Sequence, residues 1–211
     1  MRSRHNSALF GLLTALVVIL AAFLGITQRS TMPHSCSDID DPSMSVVSFF
    51  DSLCAENVSA CDALISGYSS LGLAAEPKDE VGKKLHSQLL ESYEYTLIGS
   101  PRLEGTVYVQ TVDFRYFDIP STADTLNELS QDRLAYRIHT MAPDEIYDEN
   151  GNYREDVVNL AFSEATDILL ENPEQFYKTR QIDVALMIED SQWKIVIDDD
   201  LKYVLLGGVI N

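Results

Sequence analysis

Apolar and polar positions alternate with three different periods along this chain of 211 residues. Residues 8–26 are apolar throughout except for Thr14. As a helix at about 1.5 Å per residue this run spans about 28 Å, close to a bilayer's hydrocarbon thickness. Beyond a polar stretch, Met44, Val47, Phe50 and Leu53/Cys54 recur at helical spacing, with Ser43 as the predicted N-cap. A break at Glu56-Asn57 separates this helix from a second amphipathic stretch through Val58, Cys61, Leu64/Ile65 and Tyr68. Gly72 and Pro77 interrupt, and Val81, Leu85 and Leu89 predict a short third helix. The period then changes to two. Tyr93, Tyr95 and Leu97 alternate, Gly99-Ser100-Pro101 reads as a turn, and residues 107–117 are rich in β-branched and aromatic side chains. Pro120 ends that strand. Helices are predicted over 122–138 and 153–170, with Asp148 to Asn152 as the loop between them. Ile182, Val184, Leu186 and Ile188 alternate, Glu189-Asp190-Ser191-Gln192 turns, and Trp193, Ile195 and Ile197 alternate again. Residues 201–206 add a helical turn or short strand.

These elements predict an α+β protein: an N-terminal transmembrane helix followed by one domain with an antiparallel sheet packed on helices. The expected division is a cytoplasmic N-terminus (1–7), a membrane anchor (8–26), a linker (27–42) and an external domain (43–211). The apolar run exceeds the 7–15 residues of a signal-peptide core, and no small-x-small cleavage site follows it. Arg2 and Arg4 precede the run and only Arg29 follows closely, which predicts a cytoplasmic N-terminus and an extracytoplasmic domain.

Charge narrows the partners. The net charge is -18, and the first 29 residues hold three arginines and no acid, so the remainder carries -21. Such a domain repels nucleic acid and anionic lipid surfaces. The expected partners are the membrane, through the N-terminal helix, and proteins, a second copy included.

The succession of helices, hairpin, helical insertion and second hairpin resembles the nuclear-transport-factor-2-like superfamily, the cone-shaped, cystatin-like α+β fold. It looks like the membrane-tethered forms of Gram-positive bacteria. The likeness rests on Tyr93-Glu94-Tyr95-Thr96-Leu97-Ile98-Gly99, Val107-Tyr108-Val109-Gln110-Thr111-Val112-Asp113, Asp148-Glu149-Asn150-Gly151-Asn152-Tyr153 and Gln192-Trp193-Lys194-Ile195. It implies a bent sheet wrapped around helices, with a mouth that can hold a small ligand. Ketosteroid-isomerase-like enzymes of this superfamily use a carboxylate base beside a tyrosine or acid donor inside the cone. The corresponding candidates are Asp113 or Asp183, with Tyr93, Tyr95, Tyr108 and Tyr116 nearby in sequence. The fold alone licenses no activity, and no catalytic motif transfers residue by residue.

Other chemistry is sparse. His5, His34, His86 and His139 lack metal-ligand spacing, and no cofactor is expected. With Gly151 at the sixth position of a calcium loop, the first and twelfth fall on Ile146 and Val157, which offer no side-chain oxygen. Asp198-Asp199-Asp200 reads as a charged strand end. Asn57-Val58-Ser59 fits a glycosylation acceptor, relevant only in a eukaryotic secretory pathway. Cys54 and Cys61 form a possible disulfide if the chain turns between them; in one continuous helix they would stand about 10 Å apart. Cys36 stays free in either case. The expectation is a non-enzymatic external binding or interaction domain. The alternatives are a small-ligand cone pocket or an enzyme using Asp113 or Asp183.

Overall fold

The computed structural model describes residues 41–68 and 77–209. The expected anchor, its cytoplasmic flank, Cys36 and Gly72 lie outside them. Among the described residues no helix is long and apolar enough to cross a membrane.

Helix α1 (Pro42–Cys54) starts two residues earlier than its pattern predicts. Asp41, not Ser43, is the cap: its Oδ1 accepts from Ser43 N at 2.9 Å, and Pro42, which has no N–H to leave unsatisfied, opens the helix. The buried stripe is accordingly Val46, Phe49, Phe50 and Leu53, while Met44 is exposed. Glu56, at φ 57°, reverses the chain. Asn57 then caps the single-turn α2 (Val58–Asp62), accepting from Ala60 N at 3.3 Å. The predicted continuation of this helix to Tyr68 does not form. Ile65 bridges to Ile195 instead, and Ile195 N donates to Leu64 O at 2.8 Å. Helix α3 (Glu80–Glu91) begins at Asp79, which accepts from Gly82 N.

Strands β1 (Glu94–Glu104) and β2 (Val107–Phe117) form the first hairpin. It turns after Glu104, at Gly105, and not at Gly99-Ser100-Pro101 as predicted. That tripeptide lies in a bulge: between the pairs Ile98–Thr111 and Arg102–Val109, three residues of β1 stand opposite the single Gln110 of β2. The fully buried Gln110 supports the bulge, its Nε2 donating to Ile98 O at 3.1 Å and Gly99 O at 3.4 Å. Helices α4 (Ala123–Thr140), α5 (Pro143–Ile146) and α6 (Glu155–Leu169) follow. Strands β3 (Tyr177–Glu189) and β4 (Gln192–Val196) close the sheet around Asp190 and Ser191, whose φ values of 50° and 61° suit a two-residue hairpin turn. Helix α7 (Asp199–Leu205) comes last. Asp198 caps it and Asp199 and Asp200 occupy its first turn, where helix polarity favours negative charge. The three aspartates thus start a helix rather than end a strand.

The sheet order is β1-β2-β3-β4, antiparallel throughout. One face carries Tyr95, Leu97, Val112, Phe114, Tyr116, Ile182, Val184, Leu186 and Ile195. Against it pack Phe49, Phe50 and Leu53 of α1 and Leu201, Val204 and Leu205 of α7. Phe50 is central, 5.0 Å from the Tyr95 ring and 5.3 Å from that of Phe114. Helix α4 packs chiefly on α6, and α6 on α3 through Lys84, which donates to Ser163 and pairs with Asp167.

The turn after α7 is held by a close approach. Gly208 has φ 81°, and a Cβ there would stand 2.5 Å from Oδ1 of the buried Asp118. Asp118 Oδ2 accepts from Lys178 Nζ. Gly208→Ala combines a left-handed backbone with a clash against a buried carboxylate. The expected loss is about 2–4 kcal/mol, read by urea unfolding of the purified chain. An unchanged midpoint would show that this contact is not structural.

Candidate functional site

Strand alternation decides where the candidate acids point. In β2 the even positions Tyr108, Val112, Phe114 and Tyr116 face the helices, and the odd positions Thr111, Asp113 and Arg115 face the other way. Register puts Asp183 beside Thr111 and Gln181 beside Asp113 on that same outward face. Asp183 Oδ1 accepts from the Thr111 hydroxyl at 2.6 Å, and its Oδ2 from Arg102 Nη2 at 2.7 Å. Asp113 accepts from Gln181 Nε2 at 2.9 Å. The tyrosines stand apart from both acids. Tyr93 is buried and donates to Leu205 O at 2.6 Å, Tyr95 donates to Asp51, Tyr108 packs edge-on against Trp193, and Tyr116 lies near the Tyr203 ring. The carboxylate-plus-tyrosine arrangement implied for an isomerase-like site is therefore not assembled at Asp113 or Asp183.

The chain does reverse between Cys54 and Cys61, yet no bridge joins them; both thiols are free. Cys54 Sγ donates to Tyr93 O at 3.3 Å and Cys61 Sγ to Phe49 O at 3.5 Å. Burial pushes the Cys61 thiol up to about 11. Among the described residues no group of three His, Cys, Asp or Glu could hold a metal ion.

A concave surface lies on the helical insertion. An open groove of about 1300 Å³ runs along α5, the following loop and the start of α6. Asp148 organises the loop: its Oδ1 accepts from Asn150 N at 2.8 Å and Asn152 N at 2.9 Å, and Gly151 takes φ 80° to close the turn. These backbone donors, Asn152 first, hold its carboxyl below the ordinary aspartate range. The turn pairs Tyr147 with Tyr153 across a β-bridge and stacks their rings at 5.2 Å and 28°. Both rings line the groove with Asp144, Glu149, Glu155, Asp156 and Arg154. Arg154 is engaged by Asp156 at 3.2 Å. Asp144, Glu149 and Glu155 have no hydrogen-bond or ion-pair partner among the described residues. Nearby on the same insertion, Tyr136 is 63% exposed, Leu160 47% and Tyr153 44%.

Sequence reasoning treats residues 148–152 only as a loop and assigns this groove no role. The available signal was the pair Tyr147 and Tyr153, each three residues from Asn150, amid six acids between 144 and 156. Compared with protein-family models, curated proteins and solved structures, the chain matches none.

The outward acids give a pH test. The Asp183 carboxyl is held below the ordinary aspartate value, first by the Thr111 hydroxyl and then by Arg102. A depressed folded value adds stability above the unfolded value of about 3.9, lost as pH falls through the folded value. The side chain is 54% exposed, so solvent screening limits the effect to within about 1 kcal/mol. Asp183→Asn is expected to lower the urea midpoint slightly at pH 7, with the difference from the parent chain vanishing in strong acid. A larger gap in acid than at pH 7 would contradict this.

Proposed function

We propose that this chain is a membrane-anchored, extracytoplasmic interaction domain of the cone-shaped, nuclear-transport-factor-2-like type, working through its outer surface and not as an enzyme. The filled interior carries this reading. The helix-facing side of the sheet, where the superfamily resemblance implies a ligand, is occupied by Phe49, Phe50 and Phe114, all fully buried, together with Leu186 and Ile195. The anchor and orientation rest on the apolar run at 8–26 and the basic residues before it.

The helical insertion is the favoured contact surface. It exposes Tyr136, Tyr153 and Leu160, whereas the open sheet face pairs most of its charges internally, through Arg102–Asp183 and Arg115–Glu94. Exposed tyrosine beside aliphatic surface is the composition of protein contact sites.

A photo-crosslinking amino acid at Tyr136 or Leu160 of the full chain, in intact cells, is expected to trap a defined protein adduct. The same probe at Thr96 or Thr179, on the open sheet face, is expected to trap none. A self-adduct identifies the partner as a second copy. Adducts only from the sheet positions, or none from any of the four, would overturn the reading.

A further inference from the structure

We infer that the tyrosine-walled groove of α5, its following loop and α6 takes an extended basic segment of a partner protein, one bearing several lysine or arginine side chains. This deepens the interaction reading above and rests on it.

The shape suits an extended occupant. At about 1300 Å³ and open to solvent, the groove exceeds the usual 300–1,000 Å³ of a small-molecule pocket. Its acids are too dispersed for a metal ion, since no three such groups among the described residues converge on one point. Spread carboxylates along an open trough suit charges that are spread along a chain.

The charge is available rather than internally spent. Residues 123–169 hold eleven acids and three arginines, a net charge of -8. Two of those arginines are engaged: Arg137 with Glu164 and Arg154 with Asp156. Asp148 is engaged too, by its own loop. That leaves Asp144, Glu149 and Glu155 lining the groove without partners among the described residues. Beside them the stacked Tyr147 and Tyr153 rings offer π-faces that attract a cation, arginine most of all. An acidic peptide would meet repulsion from the same three carboxylates, and an apolar one would strip their water without compensation.

The test uses the full chain in an uncharged detergent and a fluorescent octapeptide of alternating arginine and glycine, read by anisotropy. Binding that weakens with added salt is expected. The combined variant Asp144→Asn, Glu149→Gln, Glu155→Gln is expected to weaken it by about tenfold or more, and Tyr153→Ala by several-fold. A control neutralises three acids elsewhere: Glu171→Gln, Glu174→Gln, Asp190→Asn. It is expected to change affinity less than about twofold. Equal losses from both triple variants would reduce the effect to bulk charge and overturn the inference. So would failure of the peptide to bind the parent chain. If crosslinks at Tyr136 and Leu160 then still trap a partner, the interaction reading survives and only its basic character is lost.

Discussion

The packing of Phe50 against Tyr95 and Phe114 is the contact on which the rest of the domain turns. It brings α1 down onto β1 and β2 at once, and it commits one face of the sheet to the interior. A fully buried phenylalanine contributes about 1.5–3 kcal/mol relative to an exposed one, and Phe49, Phe50 and Phe114 lie together here. Because side chains alternate along a strand, that commitment also fixes what the opposite face must be. Tyr95, Phe114 and Ile182 point inward, so Thr111, Asp113, Arg115 and Asp183 point out. The acids that sequence made attractive as catalysts are outward by the same geometry that makes the core.

A filled interior leaves the outer surfaces as the working parts, and they differ in kind. The open sheet face pairs most of its charges within itself, with Arg102 bridging Thr111 and Asp183, and Arg115 meeting Glu94 while its guanidinium lies 4.5 Å over the Tyr177 ring. The helical insertion is not self-contained. Helix α4 packs chiefly on α6, and at its far end the Asp148 turn presents two stacked tyrosines beside carboxylates without partners. Asp148 spends its own charge on building that turn, which is what holds the rings in register.

Much of the fold was legible because long periodic segments state their own type. Strand β2 runs over 107–117 as its β-branched and aromatic content predicts, and Asp190-Ser191 turns the second hairpin as expected. The misreadings share a cause: local signals with two structural meanings. Gly99-Ser100-Pro101 has turn chemistry, but the strand absorbs it as a bulge because the buried Gln110 satisfies the freed carbonyls from across the hairpin. Asp198-Asp199-Asp200 read as a charged strand end, yet they start a helix. The stripe of α1 is displaced because Met44, apolar in type, sits on the solvent side of a helix whose start was misplaced. The outward position of Asp113 could have been read from parity alone, since Tyr108, Phe114 and Tyr116 are even and Asp113 is odd. The groove could not, because its walls come together only when the Asp148 turn stacks Tyr147 on Tyr153.

Amide hydrogen exchange across the full chain tests most directly whether a closed core carries a separately exposed insertion. Exchange slows where amides are buried and cooperatively held. Strands β2 and β3, paired on both sides under α1 and α7, are expected to exchange slowest, and residues 123–140 of α4 well before them. Protection of α4 equal to that of β2, or rapid exchange through β2 and β3, would contradict this.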